Sequence, residues 1–377
     1  MRGHDKKAKV NFMNWYEVDN AENIDTPALL IYKERLRQNI DTAITIVNNP
    51  ANLRPHIKTN KSKEVCKMLM AAGVEKFKCA TIAEAELLGD IRAKDVLLAY
   101  QPVGPKIGRL TNLVKHFPGT KFSCLIDNFE AAQQLAMIYD EEGLKAAVWL
   151  DINTGMNRTG VRPDDAYLLL DAVLDMPSLN VLGFHIYDGH IVGTEFEKRK
   201  QQSDYGFGQI ESIRERFKEK TGRASSVVAG GTPTFRTHIQ RNVECSPGTF
   251  VFWDMGYARL FPDEPFVFSA LVMTRVISIV NGITITTDLG YKSVASENPL
   301  PRVYFLNAPD AKVIFQNEEH LVVEVADSKL YKPGDILYGV PEHICPTVAL
   351  YDEAFLIENH HQFDRWEIVG RKRTIKY

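Results

Sequence analysis

Lys58 is the residue of this sequence best placed for covalent chemistry. It closes the stretch Arg54-Pro55-His56-Ile57-Lys58-Thr59-Asn60-Lys61, where an apolar-flanked strand over 53–57 gives way to a helix-like segment at 62–72. An amine at a strand's exit can capture an aldehyde as a Schiff base, but only in its unprotonated form, which burial or a nearby cation favours. Arg54 and Lys61 supply such cations. The competing reading is a solvated lysine in a basic loop, because most lysines are exposed.

Other groups with chemical potential lie further along. Asn153-Thr154-Gly155-Met156-Asn157-Arg158 joins a turn-permitting glycine to an arginine whose planar fork can donate to a ligand oxygen. A surface arginine is the alternative. His185 could lie flat on an aromatic ligand, with Tyr187 on the same side of a strand, or be a packed core histidine. Gly230-Gly231-Thr232-Pro233-Thr234 is either a tight turn or a place where backbone amides approach an anion. In Pro341-Glu342-His343-Ile344-Cys345-Pro346-Thr347, an extended chain would turn His343 and Cys345 to one face, suiting a soft or borderline cation such as zinc. A half-buried cysteine acting as a small hydrophobe is the plainer explanation.

The elements that must position these groups form a regular series. Short apolar strands at 53–57, 76–80, 96–100, 121–126, 147–151, 181–186, 226–229 and 243–245 alternate with segments of helical periodicity, among them 62–72, 82–88, 128–139 and 196–220. That is the pattern of parallel βα units, about eight of them, and predicts an α/β chain with a TIM-like (β/α)8 barrel. Lys58, Thr81, Gln101, Asp127, Asn153 to Arg158, His185 with Tyr187, and Gly230 to Thr232 all fall at strand exits, where such barrels carry their chemistry. The glycine pair follows the seventh strand, a common phosphate position. After Phe250 the alternation stops. Strands at 267–280, 283–287, 312–315, 321–325, 336–338 and 354–357, separated by turns such as Asn281-Gly282 and Pro333-Gly334, predict an antiparallel β domain over 251–377. The barrel is expected over 25–250, including an apolar run at 28–32, and 1–24 is expected to join the β domain.

Composition bounds the rest. The 377 residues carry a net charge of −3 without a long basic run, which argues against a nucleic-acid partner. Five cysteines without a C-x-x-C pair indicate neither a disulfide framework nor a zinc knuckle and fit a reducing cytoplasm. No apolar segment approaches membrane-spanning length and no export signal is visible, so membrane insertion and export are not expected.

Taken in order, Pro55-His56-Ile57-Lys58-Thr59, Asn153 to Gly160, the His185/Tyr187 region, Gly230 to Thr234, Ser246-Pro247-Gly248-Thr249 and His343 to Thr347 resemble the fold-type III pyridoxal-phosphate enzymes. The likeness is to the D-threonine aldolase and D-serine dehydratase branch of the alanine racemase N-terminal domain superfamily. It implies that Lys58 holds the cofactor covalently, Arg158 contacts its phenolic oxygen and His185 packs on the pyridine ring, near Tyr187. Gly230, Gly231 and Thr232 would hold the phosphate, and His343 and Cys345 a divalent metal, zinc before manganese. A homodimer acting on a small D-amino acid is also implied. Ser246 stands where alanine racemases carry an arginine, and the H-x-C pair belongs to the metal-dependent branch, so racemisation becomes the lesser alternative. H-x-C is typical of the dehydratases, whereas Glu244 to Phe250 looks like bacterial chains grouped with the aldolases. The leading expectation is retro-aldol cleavage of a D-β-hydroxy-α-amino acid, with His190 or His56 as base; β-elimination by Lys58 to a keto acid and ammonia is the alternative.

Overall fold

A computed structural model describes residues 13–373 and 375–377; residues 1–12 of the expected N-terminal segment lie outside the described residues. Seven parallel strands form one sheet in sequential order: β2 (Lys76–Cys79), β3 (Asp95–Leu98), β4 (Lys121–Ile126), β5 (Ala146–Ile152), β6 (Leu179–Ile186), β7 (Ser226–Ala229) and β8 (Glu244–Cys245). Helices follow most strands and cover the outer face. Two begin on side-chain caps, Thr81 accepting from the Glu84 amide and Asn128 from the Ala131 amide. The single helix expected at 196–220 is two, Phe196–Gly208 and Glu211–Thr221, interrupted just after Gly208, a poor residue for helix interiors.

The expected first strand at 53–57 has no continuous ladder. It makes isolated parallel bridges instead, Leu53 to Cys245 on one side and His56 to Lys78 on the other, so this segment joins both edges of the sheet and closes the ring. Its Arg54 amide donates to the Cys245 carbonyl and its Ile57 amide to that of Lys78. Pro55, lacking an N–H, contributes only its carbonyl, which accepts from the Lys78 amide, and this is why a regular ladder fails. The seam is pinned by Arg54, whose side chain is buried and pairs with Asp95 at 2.7 Å and Glu244 at 2.6 Å. Inside the ring Leu97, Leu125, Trp149 and Val228 pack together, and the Trp149 indole donates to Ser123.

The second sheet has nine strands: β1 (Ala28–Tyr32), β9 (Ala270–Asn281), β10 (Thr284–Thr287), β11 (Val303–Phe305), β12 (Lys312–Gln316), β13 (Leu321–Glu324), β14 (Ile336–Pro341), β15 (Glu353–Glu358) and β16 (His361–Glu367). Two expectations need correction. The run at 28–32, assigned to the barrel, is a central strand here, antiparallel to β9 and parallel to β15, so the sheet is mixed rather than antiparallel. All five β1 residues are buried, and a strand covered on both faces reads as a continuous apolar run in either setting. Val18, Ala21 and Ile24 pack on the same core as Leu30, Met273 and Phe355.

Arg54→Ala is expected to destabilise the protein by about 3 kcal/mol or more, since Asp95 would lose its partner at the seam and Glu244 would keep only Lys76. Chemical denaturation checks this, with Arg54→Lys expected to fall between the variant and the native chain.

Candidate active site

Lys58 sits where the closing segment turns away from the ring. The Asn60 and Lys61 amides both return to the Ile57 carbonyl, and Lys61 takes a left-handed φ of 50°. The Lys58 amide donates to Nδ1 of His56. Burial, and then the charges of Lys58, Lys78 and Lys61, hold His56 well below the usual histidine range, so its ring is neutral.

Opposite, β5 and β6 present a buried polar pair. A bulge skips Leu182, bringing Asp151 into register with His185. Gly183 at the bulge admits no side chain: a Cβ there would lie 1.9 Å from the Ser226 carbonyl oxygen. His185 Nδ1 donates to Asp151 at 2.7 Å, while Thr159 and Gln101 also donate to that carboxylate. Burial raises the Asp151 carboxyl, but these bonds outweigh it and the net shift is down. Burial lowers the His185 imidazole more than Asp151 raises it, leaving a neutral ring whose Nε2 is buried and unpartnered.

Three cations surround Tyr187. The Lys58 ammonium is 5.9 Å from its ring centre, that of Lys78 5.6 Å, and the Arg158 guanidinium 5.0 Å. Among the described residues none of the three makes an ion pair. Lys78 carries no sequence signal of its own. Its neighbour in register on β3, Leu97, faces the barrel interior, and Lys78 does the same.

The ring of Tyr187 also abuts Gly231, where a Cβ would approach to 2.9 Å, and Gly230 lies equally close to His238. This glycine loop is tied down. The Gly230 amide donates to the Ile186 carbonyl, the Thr232 hydroxyl accepts from the Gly248 and Thr249 amides, and Thr234 donates to Asp188, which also receives His238. Asp188 and His238 therefore brace the loop, a role their isolated positions in the sequence do not reveal.

His343 and Cys345 do not lie on an extended chain. His343 precedes the short helix Ile344–Val348, which contains Cys345, because the Ile344 amide is captured by the buried carboxylate of Asp254. The two side chains still meet. Burial opposes charge on both, yet their mutual attraction prevails, pushing His343 up to about 9 and the Cys345 thiol below its usual value. Thr59, next to Lys58, is 3.2 Å from the Cys345 sulfur, and Glu297 holds His343 Nδ1 at 2.5 Å. His190 stands apart. It is exposed beside Gly155 and lines a cleft of about 610 Å³ with Asn153, Asn157 and Tyr205, a cleft that Lys58, Arg158 and His185 do not line.

The donor sets fit the groups expected of them. Unpaired cations, an orphaned imidazole nitrogen and a glycine loop without room for a Cβ suit an anionic aromatic cofactor such as pyridoxal phosphate. A thiol favouring its thiolate beside an imidazole suits zinc. No group of three or more His, Cys, Asp or Glu among the described residues is arranged around a metal, so the pair would leave coordination positions open.

Comparison with known proteins agrees with this geometry. Residues 31–255 match the family described as alanine racemase, N-terminal domain, and residues 269–357 the putative serine dehydratase domain. The chain is 25% identical to a D-threonine aldolase of Arthrobacter sp. over 94% of each chain. To a D-serine dehydratase of Dictyostelium discoideum it is 22% identical, over 91% of this chain and 96% of the other. Among solved structures, D-threonine aldolase from Filomicrobium marinum superposes with a TM-score of 0.85 at 25% identity, covering 92% of this chain and 95% of that one. D-threo-3-hydroxyaspartate dehydratase from Delftia sp. HT23 gives 0.77 at 22% identity, covering 92% and 97%.

Iodoacetamide at pH 7 is expected to label Cys345 ahead of Cys66, Cys79, Cys124 and Cys245, which are buried and whose thiols burial pushes up. Added zinc should suppress that labelling, as read by peptide mass spectrometry.

Proposed function

The chain belongs to the alanine racemase N-terminal domain family, within the fold-type III branch of pyridoxal-phosphate lyases, and on that premise we propose that it cleaves D-β-hydroxy-α-amino acids in the manner of a D-threonine aldolase. The observation that carries this is the contact of Thr59, next to Lys58, with the thiol of Cys345, which supports reading Lys58 as the covalent-capture amine and His343 with Cys345 as a metal-binding pair close to it. Such an arrangement can hold the α-amino and β-hydroxyl groups of one substrate at once.

Pyridoxal phosphate, when bound, supplies an electron sink for the bond that breaks at Cα. Lys58 would hold it, Arg158 would donate to its ring oxygen, and neutral His185, fixed by Asp151, would pack against its ring. Tyr187 would flank it, and the loop of Gly230, Gly231 and Thr232 would receive the phosphate. A divalent metal on His343 and Cys345, zinc before manganese, would acidify the β-hydroxyl. The proton on that hydroxyl goes to a histidine. The base would be His190 or His56: His190 is exposed and can exchange its proton with solvent but lines the neighbouring cleft, whereas His56 lies beside Lys58 but is hemmed in by lysines and a weak base. With that proton removed the Cα–Cβ bond would break to release an aldehyde, and a proton returned to Cα would complete glycine.

β-Elimination is the second reading, favoured by the match of residues 269–357 to the putative serine dehydratase domain, a span that includes His343 and Cys345. There Lys58 would take the α-proton, the hydroxyl would leave, and water would hydrolyse the released enamine to a keto acid and ammonia. The exposed apolar residues Ile277, Ile279, Val280, Ile283, Ile314 and Phe315 support a homodimer, and five free thiols support a cytoplasmic location. No helix of the described residues is long and apolar enough to cross a membrane.

Incubation with D-threonine and D-serine, with and without added zinc or manganese, separates the readings. Acetaldehyde with glycine is expected from D-threonine; pyruvate from D-serine as the dominant product would select the elimination. Lys58→Ala should abolish either activity and the imine absorbance of the reconstituted protein, and a chelator should stop turnover while leaving the absorbance. Of His190→Ala and His56→Ala, the one that removes the base is expected to lower kcat on D-threonine by about 100-fold, with the other changing it less.

A further inference from the structure

The lyase described above employs Lys58 and Arg158 but gives no task to a third cation, Lys78. This side chain is 2% exposed, in the interior of the ring, and it shares the ring of Tyr187 with the other two. An unpaired cation in such a place is costly, and two more cations nearby raise the cost. Every charged or titratable group facing it is accounted for. From the closing segment come Arg54, committed to Asp95 and Glu244, together with Lys58 and neutral His56. From β5 and its loop come Asp151, already accepting from His185, Thr159 and Gln101, and Arg158. From β6 and beyond come His185, Tyr187 and Asp188, the last engaged by Thr234 and His238. Asp151 and Asp188 favour a charge on Lys78 at a distance, while burial, Lys58 and Arg54 oppose it more strongly and bring the amine down to about 7.

Among the described residues no carboxylate pairs with the Lys78 ammonium, so a negative charge is missing at this point of the interior. Tyr187 joins that point to the glycine loop through its contact with Gly231. We propose that Lys78 is a third anion-binding residue for the cofactor, a buried cation whose partner is the negatively charged oxygens of pyridoxal phosphate rather than any carboxylate of the protein. The idea rests on the cofactor assignment given above. It has a distinctive consequence: Lys78 weakens the cofactor-free fold and strengthens the loaded one, taking up a proton from solvent as the anion seats. A lysine kept only for the packing of its stem would do neither.

The test compares the full-length native chain with Lys78→Met, which keeps the stem and removes the charge, and with Lys78→Arg, which keeps the charge. Two probes are titrated by fluorescence, pyridoxal phosphate and 4-deoxypyridoxine phosphate; the second retains the phosphate and ring hydroxyl but has no aldehyde for Lys58 to capture. Lys78→Met is expected to weaken both by about 10- to 100-fold, the effect of losing one charge-assisted contact, and Lys78→Arg by no more than a few fold. Without cofactor, Lys78→Met should melt above the native chain at pH 7. The difference should shrink as pH rises toward the ordinary lysine range, because the folded state binds the proton less tightly than the unfolded state and the penalty fades once both have lost it. Equal affinity of Lys78→Met and native chain for both probes overturns the proposal and leaves the cofactor assignment standing, as does a Met variant that melts lower or fails to fold. Binding of neither probe by the native chain removes the assignment and the proposal together.

Discussion

Everything at the site depends on how residues 53–57 join the two edges of the parallel sheet. Ring closure rests on a handful of backbone hydrogen bonds, with Pro55 able only to accept, so the ladder cannot hold the seam alone. Arg54 supplies the remainder by reaching carboxylates on β3 and β8 at once. Four residues later the same segment delivers Lys58 to the mouth of the ring, next to the Tyr187 ring on one side and to Cys345 through Thr59 on the other. The strength of the seam and the placement of the amine are thus one problem solved by one stretch of chain.

Around that amine the interior is unlike an ordinary barrel core. Hydrophobic packing by Leu97, Leu125, Trp149 and Val228 fills the middle of the ring, and above it lies a layer of charge and imidazole: His56, Lys78, Asp151 and His185. Asp151 is satisfied and His185 is half satisfied, whereas Lys78 has no ion-pair partner among the described residues. The layer is arranged to be finished by something negative and flat, consistent with the family to which the chain belongs.

Much of this was legible from residue types and spacing, and the reasons for the rest are specific. The (β/α) alternation gave seven strands in sheet order, and helical periodicity marked helices at 82–88 and 128–139 close to their observed bounds. β1 was misplaced because Ala-Leu-Leu-Ile-Tyr has no polar face to tell a central mixed-sheet strand from a barrel strand. β16, His361 to Glu367, was missed because it is an exposed edge strand with little apolar character. Lys78 was hidden by its own neighbours. In Lys76-Phe77-Lys78-Cys79 the alternation suggests apolar residues inside and lysines in water, but Phe77 and Cys79 face the helices, so Lys78 points into the ring, while Lys76 stays partly exposed and pairs with Glu244. His343 and Cys345 are brought together by a different geometry from the extended chain expected, since a captured amide at Ile344 starts a helix that sequence spacing does not announce.

The position of β1 bears on how the chain comes off the ribosome. This strand is made early, yet both of its neighbours, β9 and β15, are encoded more than two hundred residues downstream. During vectorial synthesis the whole ring can assemble while β1 still has two bare edges and a run of five apolar side chains to shield. Nascent chains stalled anywhere between the ring and residue 353 would therefore display a sticky strand at their upstream end, and that interval is where a chaperone has the most to protect.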